Sequence, residues 1–115
     1  MIIRKSGYVN EVRSQMRGGE GDTVFDHICQ AGQLPPKCRI FSLITLNPGC
    51  SIGYHVHEGE SELYLFIEGK ATLDDNGAAA EAEAGDTMLT PSGSGHAVSN
   101  KGTLPLKFLA AVILD

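Results

Sequence analysis

Side chains able to ligate a metal crowd into two short stretches. "GYHVHEGESEL" runs from Gly53 to Leu63 and holds His55, His57, Glu58, Glu60 and Glu62, and "PSGSGH" ends at His96. On a strand, residues i and i+2 leave the same face, so His55 and His57 point together with Cα atoms about 6.6 Å apart. That spacing lets two imidazoles reach one ion. A third ligand must come from elsewhere, and His96 opens a later strand after a tight turn. Taken alone, His-x-His equally describes two solvated strand residues. His27 has no partner in the sequence and reads as solvated or hydrogen-bonded. Glu62 begins the apolar run "ELYLFIE" and can face inward, whereas Glu58 and Glu60 precede that run in a loop and read as solvated.

The elements that must position these groups are strands. The chain has 115 residues, about one domain. Turn signals recur at "RGGEG", "LPP", "NPG", "DDNG", "PSGSG" and "KGTLP", with short apolar or alternating segments between them. Such spacing argues for an all-β sandwich or barrel. The predicted strands are Thr23 to Cys29, Arg39 to Leu46, Ser51 to His57, Glu62 to Glu68, Lys70 to Asp74, Ala80 to Ala84, Thr87 to Thr90, His96 to Asn100 and Leu106 to Leu114. Asn76-Gly77 is the strongest hairpin signal, because a type I′ turn needs positive φ at both central residues. "AAAEAEA" has helix propensity, but its period of two and its bounding glycines favour a strand. Residues 1–22 read as an N-terminal arm, packing on a partner protomer in one arrangement, and 23–115 as a single barrel domain.

Composition excludes other classes. The net charge of -5, with nine Lys and Arg, provides no concentrated basic face for nucleic acid. No apolar run approaches the ~18 residues of a membrane span. "MIIRKSGYVNEV" lacks the apolar core of a signal peptide, so a cytoplasmic location is expected. Cys29, Cys38 and Cys50 show no CxxC pairing, which argues against a disulfide framework or a thiolate zinc site. "GCSIG" fits the Gly-x-Ser-x-Gly nucleophile pattern, but that motif needs a strand-to-helix elbow in a larger sheet. "HEGES" has Ser61 where a zincin needs its second histidine.

Two gapped motifs then stand out. Gly49, His55, His57, Glu62 and Gly69, followed by Gly85, Pro91, Gly93, His96 and Asn100, resemble the first and second motifs of the cupin superfamily. Together they span just under half the chain. The resemblance implies a double-stranded β-helix, or jelly-roll, barrel of the small single-domain bacterial type. It implies a metal site of His55, His57, Glu62 and His96 around one divalent ion per chain; without the motif spacing, Glu60 is the alternative carboxylate. Mn, Fe, Co, Ni, Cu and Zn all suit that donor set, which leaves one or two positions for water or ligand. Glu62, Tyr64 and Phe66 share the inward parity, so ligands sit at the barrel mouth above an apolar wall. Asn100 reads as a group that satisfies a turn backbone.

The fold leaves two functional readings open, because it hosts many activities. One is a metal-dependent enzyme of dioxygenase, decarboxylase or isomerase type on a small polar substrate, with Tyr64 as candidate acid or hydrogen-bond donor. The other is a non-catalytic module that binds or senses a small ligand through the same metal. Arg17 reads as a solvated arm residue or, if "MRGGEG" folds over the mouth, as the anchor of a substrate carboxylate. Leu63, Leu65 and Ile67 are apolar on the parity opposite to Tyr64 and Phe66. A strand apolar on both faces is buried on both, which predicts a homodimer.

Overall fold

The period-two alternation of the chain folds into ten strands, described for residues 1–115 in a computed structural model. They are β1 (Val9–Ser14), β2 (Asp22–His27), β3 (Cys38–Leu46), β4 (Ser51–Val56), β5 (Glu60–Glu68), β6 (Lys70–Asp75), β7 (Ala78–Glu83), β8 (Thr87–Thr90), β9 (Gly95–Ser99) and β10 (Leu106–Leu114). A six-stranded sheet in the order β1-β2-β3-β10-β5-β8 faces a four-stranded sheet in the order β4-β9-β6-β7, and every pairing is antiparallel. The result is an all-β jelly roll. No helix is long and apolar enough to cross a membrane.

Parity decides what fills the interior. Phe25, Ile44, Leu46, Ile52, Phe66, Val98, Leu106 and Phe108 are buried between the sheets. Full burial of each such side chain contributes about 1.5–3 kcal/mol. Register places His27, Ser42, Ala110, Tyr64 and Met88 in one row across the inner face of the larger sheet. The next row along runs Ile40, Val112, Glu62 and Thr90. On the outer face, Leu63, Leu65 and Ile67 are 38%, 41% and 48% exposed, against 2% for Tyr64 and 1% for Phe66.

Local expectations hold at the turns. Asn76 and Gly77 both take positive φ, 51° and 93°, and "AAAEAEA" pairs as a strand against β6. The side-chain amide of Asn100 donates to the Leu46 and Leu104 carbonyls at 2.8 Å each, tying off the turn before β10. The three cysteines are free.

The N-terminal segment departs from a plain arm, because residues 9–14 form β1. Its polar "VNEVRS" sequence carries no core signal, and the strand is held by backbone pairing with β2 and by side-chain ties. Ser14 donates to Asp22 at 2.7 Å, and His27 meets Glu11 at 2.7 Å. A 3-10 turn at Met16–Gly18 then lays the chain against β4, where Ser51 N donates to the Glu20 carbonyl at 2.8 Å.

A candidate metal centre at the barrel mouth

His55 lies on β4 and His96 directly opposite it on β9, both in the four-stranded sheet. Glu62 reaches in from β5 of the other sheet, and His57 sits just beyond the end of β4. A β-bulge aims the first histidine. Between Ile52 and His55, three steps on β4 match two on β9. The extra residue lets both Ile52 and His55 face inward, as bulges near sites commonly re-aim a side chain. Gly53 sits at that bulge because the Arg17 carbonyl presses against it; a Cβ there would lie 2.0 Å from that oxygen.

One ligand atom from each of His55, His57, Glu62 and His96 lies within 4.8 Å of every other. His96 Nε2 is 3.2 Å from Nε2 of both His55 and His57, and Glu62 Oε1 is 3.0 Å from His57 Nε2 and 3.1 Å from His96 Nε2. The far nitrogen of each ring is committed elsewhere. His55 Nδ1 donates to the Gly53 carbonyl at 2.8 Å, and His57 Nδ1 to Glu60 at 2.9 Å. His96 Nδ1 meets the Thr90 hydroxyl at 2.7 Å. The carbonyl and the carboxylate at Nδ1 fix the tautomer that turns the Nε2 lone pairs of His55 and His57 toward the common point, and the Thr90 hydroxyl can accept from His96 in the same sense. Three lone pairs and a carboxylate repel unless positive charge lies among them, and the donor chemistry fits a divalent first-row ion.

Electrostatics follows the same geometry. Burial works against ionisation of Glu62, but in the metal-free protein a proton shared with His57 or His96 outweighs burial and holds its carboxyl at about 2. Burial pushes His55 down, with the charges of His96, His57 and Arg17 adding to it. His57 is raised, chiefly by its hydrogen bond to Glu62 and, against burial, by a second one to Glu60. Burial pushes the Tyr64 hydroxyl well above the usual phenol range, helped by the Glu62 charge, so it stays a donor.

The four residues expected at the site are therefore brought together, each from the strand end assigned to it. Tyr64 lies directly beneath them, its ring stacked on His96 at 5.0 Å and its hydroxyl 3.5 Å from His96 Nε2. Arg17 is exposed, and its turn is packed on β4 beside the mouth. Glu60 is not a loop residue: β5 begins there, and its carboxylate takes the back of His57 instead of a place among the four. Its shared parity with Glu62 was the available signal. Thr90 and the bulge at Gly53 had none, since both depend on pairings between distant strands. The surface depression of about 460 Å³ beside Lys70, Glu81 and Lys101 touches none of the four.

A jelly roll with three imidazoles and a carboxylate converging at its mouth defines the class, and the cupin domain model matches residues 42–112. The chain belongs to the cupin family. It is 40% identical over 114 residues to an oxalate-binding protein of Thermotoga maritima, covering 99% of this chain and 94% of that one. A crystal structure of a predicted oxalate decarboxylase from the same organism matches with a TM-score of 0.93 and 39% identity over 100% of both chains. The oxalate decarboxylase of Bacillus subtilis is 34% identical over 73 residues, 59% of this chain but only 19% of that protein. A polyketide cyclase from Streptomyces resistomycificus shares the fold, with a TM-score of 0.80 at 19% identity.

Proposed function

We propose that His55, His57, Glu62 and His96 hold one divalent metal ion, and that the loaded site takes a small dicarboxylate of the oxalate type. The observation that carries this is the convergence of three Nε2 atoms and one carboxylate oxygen within 4.8 Å. Three neutral imidazoles and one carboxylate leave a divalent complex with a net charge of about +1, which attracts an anion. Bound there, the ion supplies Lewis acidity and a positive charge for a carboxylate oxygen. Arg17 adds a second cationic contact at the rim. Its guanidinium is in none of the chain's ion pairs, and its turn is seated on β4 two residues before His55. The full-length likeness to an oxalate-binding protein supports the same ligand class.

Decarboxylation is the second reading, favoured by the Thermotoga structure and the partial Bacillus match. In that reaction the carbon–carbon bond of oxalate breaks, carbon dioxide leaves, and one proton from solvent ends on the carbon of formate. Tyr64 is the candidate donor, because burial keeps its hydroxyl protonated. Loading the protein with Mn(II), Co(II) or Zn(II) and titrating oxalate by calorimetry tests the first reading; assaying the same mixtures for formate tests the second. Arg17→Met is expected to weaken oxalate but not metal. A wild type that binds no metal overturns both readings.

The assembly we propose is a homodimer through the outer face of the six-stranded sheet. Leu65 lies between Leu109 and Thr87, and Leu63 lies between Ala111 and Leu89. With Leu89 56% exposed, this is a contiguous apolar surface of the kind that marks an interface. Exchange of β1 between protomers, in the register it makes with β2, is the variant in which the arm serves a neighbour. Light scattering is expected to give about twice the chain mass of 12.2 kDa.

A further inference from the structure

The three histidines differ in what stands behind them. His55 leans on a neutral backbone carbonyl and His96 on a hydroxyl, but His57 leans on a carboxylate. Glu60 is itself gripped from the other side: Arg39 Nε donates to one oxygen at 3.1 Å and Arg39 Nη2 to the other at 2.7 Å. Such a bidentate fork fixes the plane of the carboxylate as well as its charge. Glu60 is largely buried, while Arg39 is half exposed at the start of β3. Arg39 touches none of the four converging residues. Its only ion-pair route to them runs through Glu60 and the back of His57.

We propose that Arg39 and Glu60 form a positioning pair that sets how strongly His57 binds the metal, Arg39 acting only through Glu60. This rests on the metal reading above. An ionised carboxylate accepting from Nδ1 raises the basicity of the ligating nitrogen and fixes its ring plane. The clamp by Arg39 prevents Glu60 from turning away to solvent and keeps its carboxylate plane against His57 Nδ1. Charge alone would act in the opposite sense. Arg39 is a cation near a cation site, so if its role were long-range repulsion, its removal would tighten metal binding. As a clamp, its removal loosens binding. The sign of one substitution separates the two.

The test measures Co(II) affinity by competition with a chelator for the wild type, Glu60→Gln, Arg39→Met and the double variant, with melting temperature as a control. Glu60→Gln is expected to lower affinity by about 10- to 100-fold. Arg39→Met is expected to lower it by a smaller factor, and to add nothing in the Glu60→Gln background, because the two act in series. ¹⁵N shifts of metal-free protein are expected to show His57 losing its fixed Nδ1–H tautomer in the variants while His55, held by the Gly53 carbonyl, keeps its own. Tighter Co(II) binding by Arg39→Met, equal affinities across the set, or independent additive losses each overturn the proposal. A wild type that binds no Co(II) fails at the metal reading instead.

Discussion

Two histidine clusters line the inner face of this barrel, and they are built from the same parts. Around His27, Nδ1 meets the Ser42 hydroxyl at 2.7 Å and Nε2 meets Glu11 Oε1 at 2.7 Å, while Arg13 forks onto both Glu11 oxygens at 3.1 Å each. Around His57, Nδ1 meets Glu60 and Nε2 meets Glu62, at 2.9 and 3.0 Å. The difference lies in saturation. Every polar atom at His27 faces one partner of complementary type, and the cluster fastens β1 to β2 and β3. At the mouth, three imidazoles are satisfied at the back and turn their remaining lone pairs on one another. A satisfied network specifies structure, whereas an arrangement of acceptors facing acceptors is stable only with a cation or proton among them. Residue type does not distinguish a site from a fastening; the direction of the last lone pair does.

Loss of a ligand has the strongest consequence. His57→Ala is expected to lower divalent-metal affinity by at least 100-fold, since a four-residue set becomes three. His27→Ala is expected to leave metal content unchanged and to lower the melting temperature. Elemental analysis of both variants after incubation with Zn(II) decides it. Equal metal loss in the two would mean that the clusters are not functionally distinct.

Acid provides the next test. Free histidine titrates near ~6.5, and metal ligation needs it neutral. His57 is raised in the metal-free protein, so proton binding there stabilises the metal-free form first as pH falls, while the lowered His55 resists. The sign is therefore loss of metal on acidification, expected between about pH 6 and 5. Affinity that held unchanged to pH 4 would argue against imidazole ligation.

Much of this was legible in the chain. The turn residues marked the hairpins, parity separated Tyr64 and Phe66 from Leu63 and Leu65, and the two gapped motifs carried the four donors. What was hidden depends on tertiary pairing. Strand β1 is polar and held by its neighbour, so periodicity had nothing to register. The bulge at Gly53 exists only relative to β9. Glu60 looked solvated because its partner Arg39 is 21 residues away in sequence and meets it only after β3 and β5 flank β10.

Tyr64→Phe keeps the ring that packs on His96 and Phe108 and removes only the hydroxyl. We expect metal to be retained and stability to fall by about 1 kcal/mol, the size of one net hydrogen bond. If formate production is detected in the wild type, a fall of about 10- to 1,000-fold in this variant assigns the hydroxyl to the reaction, and an unchanged rate assigns it to its structural contact with His96.

The smallest effect belongs to the saturated cluster. Glu11 is held down at about 2, first by its hydrogen bond to Arg13 and then by that to His27. A carboxyl depressed in the folded state contributes stability that is fully present above its unfolded value of 4.5 and is lost as pH falls toward 2. The carboxylate is exposed, so the contribution is screened and local. It is expected to show in β1 alone: after correction for intrinsic rates, amides of Val9–Ser14 that pair with β2 exchange faster at pH 3 than at pH 5, with core amides of β10 unchanged. Asp22 and Asp26 also bond across this pair of strands, through Ser14 and Asn10. Glu11→Gln isolates the contribution, because it is expected to exchange fast at both pH values while the Ser14–Asp22 and Asn10–Asp26 bonds stay in place. If that variant keeps the full wild-type pH dependence, Glu11 is not what fastens the strand, and the contrast between a saturated histidine cluster and an unsaturated one loses its structural half.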